Sequence, residues 1–362
     1  MLSIIKKFSR SGLIIAGAMS MLAACNKVPE VEDIAPVTPP SGQTIAEIID
    51  TDPNYSLLKQ AVAKAGVGPI LAKRDSKLTL FAPDNDAMAL SGISSGVINA
   101  LPAAQLAAIL SYHLVPQAVP AANIPESFPN VQMPTFLQPD PTQPLFKLSI
   151  FPSRRGNVAF ANNIPIKAAD KIAANGVIHT PFALIAPPSR VLADTIARDT
   201  TLSYLMAAIA RADQGLPDGS KFAQYLSNPL VNFTVFAPDN NAFRNLLAFL
   251  NLPTDITSIG ALPIQTVQGI LAYHVHVADV TFPLNPSKIK FARVFSVNLP
   301  ATPTQVKSLL SGFASPAPPL VVDATQGVKG FVNPTFSKII GADRNCVNGV
   351  FHKIDQVLLP SL

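Results

Sequence analysis

The chain has no tryptophan and only two cysteines in 362 residues. Charged residues make up 14% of it, and five histidines are the whole supply of imidazole. Each shortage excludes something. Sugar faces stack on flat rings, most often Trp and Tyr, so a chain with no Trp and five Tyr is poorly equipped to grip glycans. If Cys25 is modified, Cys346 has no partner and an internal disulfide is impossible. Hydrophobic residues reach 48%, yet no apolar run is long enough to span a bilayer. No basic cluster of the kind that binds nucleic acid is present; the tight pair Arg154-Arg155 flanks a turn signal at Gly156. The phosphate-loop and His-Glu-x-x-His patterns are missing, and no enzyme is predicted.

What the chain does have is proline, 35 residues of it, and a repeat. Residues 78–88 read Leu-Thr-Leu-Phe-Ala-Pro-Asp-Asn-Asp-Ala-Met, and residues 233–243 read Phe-Thr-Val-Phe-Ala-Pro-Asp-Asn-Asn-Ala-Phe. The apolar run suits a buried strand, proline ends its ladder, and Asp84 or Asp239 offers an oxygen to cap a helix. Calcium would need six or more oxygens at these sites, so caps are the simpler reading. Three further matches follow the same order. Residues 55–65 match 202–212, Tyr112-His113 matches Tyr273-His274, and Asn175-Gly176 with His179 matches Asn348-Gly349 with His352. A period this long predicts tandem domains and not a solenoid. The second copy is the longer one between the Tyr-His and Asn-Gly pairs.

Residues 1–24 read as a lipoprotein signal peptide. Lys6, Lys7 and Arg10 precede an apolar stretch, and Leu22-Ala23-Ala24-Cys25 resembles a bacterial lipobox. Its removal lowers the formal charge from +5 to +2. Cys25 is the expected lipidation (palmitate) site. Residues 25–43 form a proline-rich tether, which fully extended reaches roughly 55–60 Å. The first domain is placed at 44–187 and the second at 188–362, with Pro187-Pro188-Ser189 as a stiff junction. Within the first, Thr44 and Glu47 have capping-box spacing, Gly66 ends a helix, and residues 101–112 form another that delivers Tyr112-His113. A hairpin is expected between residues 146–151 and 158–161.

The Thr-Leu-Phe-Ala-Pro-Asp-Asn-Asp box, the Tyr-His pairs and the closing Asn-Gly-Val-Ile-His segment together resemble the fasciclin domain, FAS1. The likeness covers nearly all of the chain after the tether. It implies an α+β fold: two tandem domains, each a wedge of short β-strands with helices packed along one side. It also implies a mostly extracellular, non-catalytic adhesion or interaction module without cofactors. Thr180-Pro181-Phe182 departs from the family's closing pattern and predicts an edge position for that strand.

In animal members the Tyr-His region is associated with integrin binding, which makes Tyr112, His113, Tyr273 and His274 candidate partner contacts. Their position at an apolar helix end favours a packed ring and a hydrogen-bonded imidazole instead. His274 and His276 offer two nitrogens, too few for a metal site, and His179 and His352 read as framework. Cys346, in an apolar segment, reads as a buried thiol. Residues 279–320, with Phe282, Phe291 and Phe295, are expected to be surface loops bearing a partner site. The expectation is an adhesion or interaction lipoprotein binding a protein or matrix partner. It would sit in the envelope of a Gram-negative bacterium, and Asn26 in place of an inner-membrane-retaining aspartate points to the outer membrane. The alternative is a glycan-binding accessory lipoprotein of a polysaccharide-utilisation system.

Overall fold

The computed structural model describes residues 41–126 and 128–361. The signal, the lipidation site Cys25 and nearly all of the tether lie outside the described residues.

Two α+β domains follow one another. Thr44 opens the first with the expected box: its hydroxyl accepts from Glu47 N, and the Glu47 carboxylate accepts from Thr44 N. Gly66, at φ +71°, ends the Ser56–Ala65 helix in the left-handed conformation that glycine adopts without strain. The strand–turn–helix joint forms twice. Strand Leu78–Phe81 leads to helix Asn85–Leu90, and strand Phe233–Pro238 leads to helix Asn240–Phe249. Asp84 accepts from Ala87 N at 2.9 Å and Asp239 from Ala242 N at 2.8 Å. The neighbouring asparagine then ties each joint to the preceding helix. Asn85 accepts from Leu57 N and donates to Pro53 O; Asn240 accepts from Tyr204 N and donates to Thr200 O.

Among the described residues, the first domain's main sheet runs Leu114–Val115, Leu78–Phe81, Gly176–Pro181, Ile164–Ala173, Val158–Ala161, Pro152–Arg155. The second runs Val275–His276, Phe233–Pro238, Gly349–Ile354, Ile339–Cys346. In both, the box strand and the closing strand are parallel neighbours, with Leu78 opposite Gly176 and Phe233 opposite Gly349.

Three expectations are corrected. The Gly176–Pro181 strand is central and not an edge. Proline is tolerated because it occupies the last ladder position, and the next amide, Phe182 N, bonds to Pro165 O. The hairpin at Gly156-Asn157 exists, but its first arm is Pro152–Arg155, while Ser149–Ile150 pairs with Met133–Pro134. Finally, residues 279–320 are not a set of surface loops. Val280, Val294, Phe295, Leu299, Val306, Leu309, Leu310 and Leu320 are buried, most of them in the second domain's core. Thr304–Val306 and Leu320–Asp323 also pair with each other and, through Gly327–Lys329, form a small sheet. Apolar side chains spaced through the proline-rich stretch bring it inward.

A packed seam joins the domains. Phe151 of the first and Phe295 and Val350 of the second form one buried cluster, the two rings 6.0 Å apart. Phe128 stacks on His276, Asn130 donates to Asn298, and Arg155 donates to Leu299 O. Each fully buried phenylalanine contributes roughly 2–3 kcal/mol by removing its surface from water.

Candidate functional site

Each Tyr-His pair sits where a helix passes into a short strand, after Ala103–Tyr112 and Ile264–Tyr273. Tyr112 and Tyr273 are 0% exposed, His113 0% and His274 2%. Their polar atoms are used internally. Tyr112 donates to Ser149 O and accepts from Asn162; Tyr273 donates to Pro319 O and accepts from Phe331 N. His113 Nδ1 lies 2.8 Å from Ile109 O, and its Nε2 accepts from Ile185 N at 3.0 Å. His274 repeats this with Ile270 O at 2.7 Å and Leu358 N at 2.9 Å. One nitrogen donates and the other accepts, which fixes a neutral ring with its proton on Nδ1. Tyr112, His113, Tyr273 and His274 are therefore withdrawn as partner contacts, because a docked surface cannot reach them. They weld each helix end to the chain's return.

His179 and His352 do the same work one layer away. Each holds a carbonyl through Nε2, Val119 O or Val294 O, and accepts through Nδ1 from an aspartate amide, Asp170 N or Asp343 N. Those two aspartates have φ of +60° and sit at irregularities in their ladders. Sequence reasoning missed this match. The signal was Ala169-Asp170 against Ala342-Asp343, at the same offset as His179 and His352.

Asn175 and Asn348 are more than turn residues. Asn175 accepts from Ile45 N and donates to Leu71 O and Lys73 O; Asn348 accepts from Leu192 N and donates to Leu226 O and Asn228 O. Each side chain staples the opening helices to the closing strand.

The three candidate phenylalanines separate. Phe295 is buried in the seam and is withdrawn as a contact because its ring faces the interior, whereas Phe291 is half-buried, edge-on to Phe233 at 5.3 Å. Phe282 is 56% exposed and borders a groove of about 490 Å³ with Val280, Gln305, Ser311 and Pro316. Phe313, from the same segment, is also exposed. Cys346 is buried with Sγ 3.4 Å from Thr195 Oγ1, and burial raises its pKa, away from thiolate reactivity. Among the described residues, no three His, Cys, Asp or Glu are grouped to hold a metal.

A sequence profile of the fasciclin domain matches residues 53–181 and 215–360. The chain belongs to the fasciclin-domain family. Among similar proteins, transforming growth factor-beta-induced protein ig-h3 from Sus scrofa is 32% identical over 42% of this chain and 20% of that protein. The Oryctolagus cuniculus protein of the same name is 30% identical with the same coverage. The chain thus spans about a fifth of the length of these relatives. Protein sll1483 from Synechocystis is 29% identical over 41% of this chain and 76% of that one. A solved FAS1 domain pair from the insect cell adhesion molecule fasciclin I covers 86% of this chain and 94% of that chain, at 15% identity and a TM-score of 0.33.

The buried histidines give this fasciclin pair an acid limit. Burial penalises the imidazolium and lowers His113 and His274 from 6.5 to about 4; His179, His276 and His352 shift in the same direction for the same reason. The unfolded chain takes up protons below about pH 6.5, whereas folded His113 and His274 resist until about 4. Stability is therefore full above that upper limit and is lost as pH falls through the interval. Each histidine contributes up to about 1.4 kcal/mol per pH unit there. Thermal melts should be flat above about pH 7 and drop steeply towards pH 5. A melting temperature that holds constant down to pH 5 would contradict the buried neutral rings.

Proposed function

We propose that this chain is a lipid-anchored envelope protein whose fasciclin pair serves as a non-catalytic platform for binding a protein of the surrounding matrix. The observation that carries this reading is a division of labour among residues. What the two copies share, the capping aspartates, Tyr-His pairs, Asn-Gly pairs and closing histidines, is spent inside the fold. The second copy's proline-rich stretch, residues 279–320, leaves two large rings outside, Phe282 and Phe313. Exposed aromatic side chains beside a groove are the chemistry of an interaction surface. Membership of the fasciclin family supports the same reading. In this proposal the first 24 residues are removed, Cys25 carries the lipid, and the outer membrane holds the protein.

The test compares cells bearing the full chain, Cys25→Ser, or Phe282→Asp with Phe313→Asp. Cys25→Ser should move the protein from the membrane to the soluble fraction. The double variant should stay anchored and folded, because both rings are solvent-facing, yet reduce retention on a matrix-coated surface by roughly tenfold. Wild-type retention by the double variant would remove this face from the proposal. Complete membrane partition of Cys25→Ser would remove the anchor.

A further inference from the structure

Arg293 is 5% exposed and has no carboxylate partner among the described residues. Neutral oxygens hold its guanidinium: Asn232 through Nε, Asn345 and Cys346 O through Nη1, and Val347 O through Nη2. Phe151 of the first domain covers it at 4.8 Å. The two nearby groups able to carry negative charge are Tyr112 and Cys346, and burial raises the pKa of both, so they are neutral at physiological pH. Arg293 itself falls only to about 10 and stays charged. A buried cation without a counter-charge is expensive to hold, and an anion beside it recovers much of the cost.

There is room for one. Arg293 lines a cavity of about 200 Å³ between the domains. A guanidinium has five N–H donors, and the four bonds above leave one Nη2 proton without a partner among the described residues. Lys147, exposed and without an ion pair among the described residues, lines the same cavity. Phe146 and Phe291 give it an apolar wall, Gln132, Ser149 and Asn232 add polar lining, and exposed Leu145 and Leu230 border it, one from each domain.

We propose that this inter-domain cavity binds a small organic carboxylate. One oxygen takes the free Arg293 Nη2 proton, the other faces the Lys147 ammonium, and the apolar body lies among Phe146, Phe291, Leu145 and Leu230. One fixed N–H and one mobile ammonium suit the two oxygens of a carboxylate. A phosphate has more oxygens than these two charged donors meet, and it leaves the phenylalanine and leucine side chains without an apolar partner. The volume is about that of six or seven waters, enough for a single-ring acid. The site needs both domains, and it is separate from the Phe282 face and independent of the adhesion reading.

Calorimetric titration of the full chain with benzoate, benzamide and inorganic phosphate tests this. Benzoate should bind saturably at one site with a Kd of about 1 mM or tighter. Benzamide, with the same ring and no charge, and phosphate, with charge and no ring, should bind at least tenfold more weakly. Lys147→Met should weaken benzoate roughly fivefold without changing the melting temperature, as expected for a rim charge. Arg293→Lys, which keeps the charge and loses the fork, should abolish measurable binding. The proposal is overturned if benzoate fails to saturate by about 20 mM, if benzamide or phosphate matches it, or if Lys147→Met binds like wild type. The comparison of ligands on the unmodified chain decides the matter even if the Arg293 variant does not fold.

Discussion

Gly176→Ala is expected to destabilise the first domain by on the order of 3 kcal/mol or more. A Cβ at this position would lie 2.0 Å from Leu78 O, 2.8 Å from Leu78 C and 2.9 Å from Leu78 N. All three are backbone atoms of the neighbouring parallel strand, so no rotamer change relieves the clash. The closing strand would have to move away from the box strand, and Asn175 would lose its grip on Ile45, Leu71 and Lys73. The φ of +153° adds a backbone cost that alanine bears and glycine does not. Gly349→Ala should follow the same course more mildly. Its Cβ meets Phe233 O at 2.5 Å, but its second contact is the end of the Leu192 side chain, which can turn. Gly96→Ala is the control, since that helical site meets only Ser94 Oγ at 3.7 Å. Urea unfolding followed by circular dichroism measures all three. Gly176→Ala unfolding at the wild-type midpoint would mean that the two strands do not pack as described.

Arg293→Ala should cost on the order of 3 kcal/mol, because buried acceptors left unpaired cost about 1–3 kcal/mol each, offset in part by removing a buried charge that has no counter-charge. The loss leaves the side-chain oxygens of Asn232 and Asn345, and the carbonyls of Cys346 and Val347, without their donor, and it uncovers Phe151. These terms share partners, so they will not add. Arg293→Lys should fall between, because a lysine has three donors and cannot hold four acceptors set around a planar fork. A loss within about 0.5 kcal/mol for the alanine variant would show that the guanidinium does not organise the seam.

The local half of this fold was legible in the residues. Box, cap, capping box and glycine stop are short-range events, decided by β-branched runs, a proline and an oxygen at fixed spacing. The repeat extended each reading from one copy to the other. What resisted reading depends on partners far along the chain. Nothing within Tyr112-His113 tells whether Ile185 N will arrive to donate to Nε2, and that arrival decides burial. Phe295 and Phe282 look alike in the same proline-rich stretch; one meets Phe151 from the other domain and the other meets solvent. Pro181 suggested an edge because proline lacks a donor, yet at the end of a ladder no donor is required. Arg293 stood in an apolar run, Phe-Ala-Arg-Val-Phe, where a lone charge is a sign of buried acceptors waiting elsewhere.

The central claim is that the shared motifs build one two-domain platform with a fixed seam. It is tested most directly by the distance distribution between spin labels at Ala104→Cys and Gln265→Cys. These are exposed, equivalent positions on the Ala103–Tyr112 and Ile264–Tyr273 helices, and native Cys346 is buried away from the label. The seam predicts a single peak as narrow as that of a control pair placed within one domain. A broad or two-peaked distribution would show domains that swing about their junction, and would contradict the account.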